Sequence, residues 1–214
     1  MEAEARIVRR FGFPVATVSG AEALLADGVD GLISFGIAGG LAPGLKPGTL
    51  VVATEVLAGD GRCYPAMDVT ASMTGAVRAP VFGGREIVSR AEAKQELYHR
   101  TGAVAVDLES AEVAWLCADA GAPLAVIRAI GDPAERDLPP AALIGLRADG
   151  RVDIQAVLRS VLGSPGQIPA LLTVALDTRR ALAALERVGR RSLLGHGPTY
   201  EAGAHRLGRG PTVT

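Results

Sequence analysis

Cysteine is nearly absent from this chain. Cys63 and Cys117 are the only two in 214 residues, with no CxxC spacing and no histidine beside either, so neither a zinc site nor a disulfide framework is expected. A reduced, cytoplasmic setting follows as the expectation. Aromatic residues are scarce as well, 4% of the chain against a hydrophobic fraction of 49%, which leaves Ala, Leu, Val and Ile to build the core. Neither sign of charge dominates. A net charge of −1 argues against a protein held to nucleic acid or to a membrane surface by bulk charge. No apolar run approaches the roughly 20 residues that span a bilayer, and the opening MEAEARIVRR has no apolar signal segment; peripheral membrane contact stays open. Lysine is almost missing, with Lys46 and Lys94 alone among the cations that are not Arg, a bias of composition more than a binding surface. His99, His196 and His205 form no constellation that spacing supports.

What remains suits one domain with a sizeable core, residues 1–194, followed by a Gly- and Pro-rich tail, 195–214, expected to be disordered. The most informative stretch is TGAVAVDLESAEVAWLCADAGAPLAVIRAIGDPAE, residues 101–135. Residues 104–106 read as a short buried strand ending at Asp107, with Glu109 in the first turn of the helix that follows. Val113, Leu116, Cys117 and Ala120 mark its apolar face, Gly121 stops it, and LAVIRAI reads as a second buried strand. Strand, helix and parallel strand make a βαβ unit. Ligands gather outside the carboxyl ends of such strands, so Glu109 and Asp132 are expected to open onto one crevice. Glu109, at the positive end of a helix dipole, suits the accepting of hydrogen bonds from sugar hydroxyls. Asp132, at the end of a buried strand, is placed to keep a proton and donate it. One accepting and one donating carboxyl is the division of labour that breaks a glycosidic bond. The plainer readings are dipole compensation for Glu109 and a turn for Asp132 before Pro133.

Elsewhere the pattern predicts helices over residues 1–11, 21–26, 90–100 (capped by Ser89), 152–162 and 167–188. Strands are predicted over 15–18, 31–35, 49–56 and 81–88, with an irregular flap over 58–80, a loop at 137–142 and a turn at Asp149-Gly150. GIAGGLAPGLKPG, residues 36–48, is the most Gly-rich segment and reads as a loop. It is neither GxGxxG nor GxxxxGK[ST], and a strand follows it where a dinucleotide or P-loop site needs a helix. A dinucleotide-dependent oxidoreductase is therefore disfavoured.

Taken in order, LISFGIAGGLAPGLKPGTLVVATEV and AVDLESAEVAWLCADAGAPLAVIRAIGDPA resemble the purine nucleoside phosphorylase and methylthioadenosine/S-adenosylhomocysteine nucleosidase superfamily. The extension LPPAALIGLRADGRVDIQAVLRSVLGSPGQIPALLTVALDTRRAL is most similar to the hopanoid-associated phosphorylases. The resemblance implies an α/β fold, a three-layer α/β/α arrangement with a twisted mixed central sheet, and cleavage of the N-glycosidic bond of a purine nucleoside. Release of adenine from adenosylhopane is its finer implication.

By position, the resemblance gives Asp132 the protonation of the leaving base and Glu4 the activation of water. It gives Glu109 the ribose hydroxyls, with Leu108 beside the sugar, Arg128 near sugar and nucleophile, and Gly36, Ala38, Gly39 and Gly40 a loop against ribose and nucleophile. It implies no metal and no organic cofactor, with phosphate as a potential co-substrate, and a homo-oligomer. Where phosphorolytic members carry an Arg and a Ser around the Gly loop, this chain has Ser34 and Ile37, which leaves water open as the nucleophile. Gly131 stands where many members have Ser or Ala. The family also has a strand ahead of its N-terminal Glu, whereas Glu4 here is the fourth residue of the sequence. The rival expectation is a nucleoside-binding module without turnover.

Overall fold

Leu124–Asp132 is the strand around which the chain packs: every residue except the final Asp132 is buried. So continuous an apolar run fits only a strand covered on both faces, and neighbours on both edges complete its cover. The computed structural model describes residues 2–10, 15–69, 73, 75–144 and 154–188. In chain order the elements are α1 (Glu2–Arg9), α2 (Val18–Ala26), β1 (Leu32–Gly40), β2 (Leu50–Ala58), β3 (Cys63–Pro65), β4 (Val77–Gly83), α3 (Ala91–Thr101), β5 (Ala105–Asp107), α4 (Ser110–Ala120), β6 (Leu124–Asp132), α5 (Pro140–Ile144), α6 (Ile154–Gly163), a 3₁₀ turn (Pro165–Gln167) and α7 (Ile168–Val188).

The sheet is mixed, with the order β3-β2-β4-β5-β1-β6, and β2 also pairs with β6. Five strands thus close on themselves and leave β3 as an outer edge. Helices cover both sides, as the α/β expectation requires. α7 packs on Val52, Ile127 and Ala129 through Ala181, Ala184 and Leu185. α4 packs through Val113, Ala114 and Cys117 against Val51, Ala53, Val81 and Val126, and α3 through Leu97 against Val106. Gly102 and Gly121 end α3 and α4 in the left-handed conformation, at φ of 71° and 64°, which glycine adopts without strain. Gly83 is forced by packing: a Cβ there would lie 2.4 Å from the Ala111 Cβ. Among the described residues no helix is long and apolar enough to cross a membrane.

Several expectations need correction. β5 runs antiparallel to β1, and β1 runs parallel to β6. The strands flanking α4 therefore point in opposite directions with β1 between them, and the βαβ reading fails. Periodicity reports burial; it carries no strand direction. Gly36, Gly39 and Gly40 belong to β1 and not to a loop. Glycine is a weak strand former, but here β5 and β6 pair with β1 on its two edges, and at Gly40 a side chain would be crowded. A Cβ on Gly40 would lie 3.2 Å from the Asp132 carbonyl oxygen. Residues 15–17 form no strand, since α2 starts at Val18. The flap at 58–80 contains β3 and the start of β4, and the 137–142 loop gives way to α5 at Pro140. Arg90, not Ser89, occupies the cap of α3; the Ala91 N–H instead donates to Asp137 Oδ1 at 2.7 Å, from a segment 46 residues away. The tail at 195–214 and the turn at Asp149-Gly150 lie outside the described residues.

Candidate active site

β6 carries two of the expected residues, Arg128 and Asp132, and an irregularity between them decides where each points. Arg128 is paired with Gly36 of β1, and Ile130 with Ala38, but Gly39 then pairs with Asp132. Gly131 is an extra residue, a β-bulge of the kind that re-aims a side chain. It is glycine for a local reason: a Cβ there would lie 2.5 Å from Ile37 Cγ2. The Gly131 and Ile37 departures from the family pattern are thus one packing event.

Arg128 turns toward α4. Its side chain is 2% exposed and its Nε donates to Asp107 Oδ2 at 2.7 Å, a carboxylate itself 5% exposed. Nη2 donates to Ser34 Oγ at 2.6 Å and Nη1 to the Ile127 carbonyl at 3.1 Å. Asp107 also accepts from the backbone N–H groups of Glu109 and Ser110, at 2.8 and 2.7 Å, and from the Ser110 hydroxyl. Burial works to raise the Asp107 carboxyl, but the Arg128 charge and these hydrogen bonds outweigh it and hold it below the usual carboxylate range. Asp107, which the sequence marked only as a strand end, is therefore the counter-ion of Arg128.

Glu109 occupies the cap position of α4, with Ser110 as the first helical residue, one step earlier than expected. Its backbone is fixed by Asp107 and its side chain is half-buried. Leu108 beside it is 48% exposed. Glu4, on α1, reaches the same region: a Cβ on Gly36 would lie 4.0 Å from Glu4 Oε1 and 3.8 Å from Arg128 Nη1. Gly36 therefore marks the place where a carboxylate and a guanidinium come near the same stretch of β1 backbone.

Asp132 turns instead toward α3. Its Oδ2 would lie 3.9 Å from a Cβ on Gly39 and accepts from Lys94 Nζ at 2.5 Å. Its other oxygen, Oδ1, is buried without a hydrogen-bond partner among the described residues. Burial raises the Asp132 carboxyl above its ordinary value and a nearby Asp177 adds to that, while Lys94 and Arg136 pull it down without cancelling the rise. The strand-end acid expected at this position is thus held at one oxygen by a buried lysine that the sequence pattern did not mark.

The structure thus groups Glu4, Gly36, Arg128 and, through the Asp107 hydrogen bonds, Glu109; it groups Asp132 with Gly39. Gly36 and Gly39 are three residues apart, roughly 10 Å along a strand. No hydrogen bond or ion pair joins Glu109 to Asp132 among the described residues. Two open clefts lie elsewhere, one between β3 and α4 lined by Tyr64, Met67, Cys117 and Leu124, the other beside α3 lined by Phe82, Glu96 and Arg100. Neither contains Glu109 or Asp132. No group of three or more His, Cys, Asp or Glu among the described residues is arranged to hold a metal. Lys94 was missed because a lysine on a short helix reads as solvated charge; its rarity in an Arg-rich chain and its place one turn before buried Leu97 were the available signals.

A mixed sheet closed through β2, flanked by helices and carrying a bulged strand that ends in the acid Asp132, defines an α/β protein. Residues 7–162 match the phosphorylase superfamily, and the chain belongs to that family. Its fold is similar to that of native futalosine hydrolase of Helicobacter pylori, at 17% identity and a TM-score of 0.61, over 91% of this chain and 94% of that one. It is likewise similar to the 5′-methylthioadenosine/S-adenosylhomocysteine nucleosidase of Neisseria meningitidis in complex with methylthio-immucillin-A, at 19% identity and a TM-score of 0.59, over 83% and 74%. A Helicobacter pylori nucleosidase mutant with 5′-methylthioadenosine in its active site gives 20% identity and a TM-score of 0.57, over 76% and 95%. No protein of curated function matches.

Proposed function

We propose that the protein cleaves the N-glycosidic bond of a purine nucleoside, with Asp132 as the acid. The observation that carries this reading is the Asp132 carboxyl itself: raised by burial, held by Lys94 at one oxygen, and left with a buried second oxygen that has no partner among the described residues. A carboxyl in that condition can carry a proton at Oδ1 and give it up to a base. As the C1′–N9 bond lengthens, its electron pair moves into the purine and the Asp132 proton passes to N7. A well-placed general acid of this kind is worth about 100-fold to 10,000-fold. Glu109 accepts hydrogen bonds from the ribose hydroxyls and stabilises the positive charge that grows on the sugar. Leu108 packs on the ribose, and Gly36, Ala38, Gly39 and Gly40 give the substrate a backbone surface with almost no side chain. The scheme uses no metal or organic cofactor.

We favour water over phosphate as the nucleophile. A phosphate site needs uncompensated positive charge, and the Arg128 guanidinium is neutralised by Asp107 and occupied at all three nitrogens. Glu4 reaches the same region, and in this reading its carboxylate accepts the proton of a water that attacks C1′. The finer substrate, adenosylhopane, rests on resemblance alone. The apolar cleft at β3 begins near Leu124, eight residues and roughly 26 Å along β6 from Asp132, so it does not argue for a hopanoid pocket. Assembly as a homo-oligomer belongs to the same proposal and is read by sedimentation. The rival, nucleoside binding without turnover, draws on the Lys94–Asp132 ion pair, because an ionised Asp132 has no proton to give.

Incubation with adenosine, methylthioadenosine and an adenosyl compound bearing an apolar 5′ group, with and without phosphate, tests the proposal. Free adenine with ribose as co-product, independent of phosphate, is the expected result. A ribose 1-phosphate product would overturn the choice of water, and binding without adenine release would establish the rival.

A further inference from the structure

Lys94 lies in the middle of α3, a helix whose Glu92, Glu96 and Arg100 are exposed, yet its own side chain is 0% exposed. A buried ammonium is tolerated only when it is paired and its protons are satisfied. It has three to place. One goes to Asp132 Oδ2 at 2.5 Å, one to the Pro133 carbonyl at 3.0 Å and one to the Arg136 carbonyl at 2.8 Å. A single atom thus fixes both the Asp132 carboxyl and the direction in which the chain leaves β6. The segment is pinned a second time from α7, where buried Asp177 accepts from Arg136 and, at 2.7 Å, from Arg180. The bulge at Gly131 pairs Asp132 with Gly39, and among the described residues it is Lys94, on α3, that donates to its carboxyl. A pair serving stability alone gains from satisfying both carboxyl oxygens; this one engages Oδ2 and leaves Oδ1 buried with no partner among the described residues.

We propose that Lys94 is a positioning residue for Asp132: it holds Oδ2 from beneath α3 so that Oδ1 is the oxygen presented to the departing base. The inference rests on the reading of Asp132 as the acid. Three charged groups face that carboxyl, namely Lys94 from α3, Arg136 from the segment after β6, and Asp177 from α7; β1 contributes the bare Gly39. Lys94 and Arg136 lower the Asp132 carboxyl while burial and Asp177 raise it. Removing the lysine charge therefore raises it further. The active form is protonated Asp132, so activity falls as pH rises through its titration, and the variant must carry that fall to higher pH.

The test compares the full chain with Lys94→Met, following the Asp132 carboxyl by ¹³C NMR, assigned with Asp132→Asn, and adenine release as a function of pH. The Asp132 titration and the alkaline limb of the rate profile should both rise by about 1 to 3 pH units, the effect of a neighbouring opposite charge. kcat should fall at least about 10-fold, with KM changed much less, as expected for a misplaced reacting group. Should Lys94→Met fail to fold, Lys94→Gln keeps a donor to Oδ2 without the charge: the same rise should appear, with a smaller loss of kcat. A carboxyl titration unmoved in the folded variant overturns the role of Lys94. A titration that moves while the rate profile does not leaves Lys94 beside Asp132 but removes Asp132 as the acid, so failure of this inference and failure of the proposed function give different results.

Discussion

Replacing Asp107 by Asn should remove a large part of the protein's stability, and the size of the loss follows from what surrounds the carboxylate. Both side chains of the Asp107–Arg128 pair are almost sealed, at 5% and 2% exposed. The substituted amide would keep the shape and an accepting oxygen but not the charge, leaving a guanidinium buried against Ser34 and the Ile127 carbonyl without the carboxylate it donates to through Nε. Breaking one side of a buried pair in this way costs about 3 to 5 kcal/mol, out of a total of about 5 to 15 kcal/mol for a domain. The double variant Asp107→Asn/Arg128→Met removes both charges and should be less destabilised than the sum of the single changes, by at least about 1 kcal/mol of coupling. Equilibrium denaturation at neutral pH measures all three, provided the m-values agree.

The pair also fixes a sign in the pH dependence. Burial opposes it, but Arg128 and the hydrogen bonds depress the folded Asp107 carboxyl below its unfolded value. Its contribution is therefore fully present above the unfolded pKa, about 3.9, and disappears as pH falls through the lower folded value. Asp107→Asn should flatten that acid limb. A loss below about 1 kcal/mol, no more than an ordinary neutral hydrogen bond contributes, or strict additivity in the double variant, would refute the argument. Arg128 would then be free to meet an anion, and the case for water would fall with it.

Other outcomes follow from the same geometry. Asp132→Asn should reduce kcat at least about 100-fold and also lower the melting temperature, since Lys94 loses its counter-ion; steady-state kinetics beside thermal unfolding would show both, and near-normal turnover would mean another group supplies the proton. Glu109→Gln should lower kcat by about 10²-fold to 10³-fold, the scale for losing a group aimed at transition-state charge, with circular dichroism unchanged because its side chain is only half-buried. Gly131→Ala should cost about 1 to 3 kcal/mol through overpacking against Ile37, and Ile37→Ala in the same chain should recover most of it; a Gly131→Ala protein as stable as the parent would show that the bulge can shift.

The reach of the sequence is clearest in single residues. Leu124 to Ile130 reads as a buried strand because LAVIRAI is short, β-branched and apolar but for Arg128, and Gly121 ends the helix before it because the left-handed cap disfavours most other side chains. The order of the Gly-rich segment, the AVDLESA stretch and the RAIGD exit was enough to place the chain in its superfamily, and the strand ends and helix start to name Glu109 and Asp132 as candidates; Glu4 and Arg128 came from the resemblance alone. Those are local properties, fixed by period, cap and motif. The ring closure through β2, the reversed direction of β5, the bulge at Gly131 and the two ion pairs were decided only in three dimensions. Lys94 and Asp132 are separated by 38 residues and Asp107 and Arg128 by 21, and no local pattern records which distant charge a buried carboxylate will meet. Hydrophobic patterning states which side chains must leave water; which polar groups are carried in with them, and must find each other there, is settled by packing.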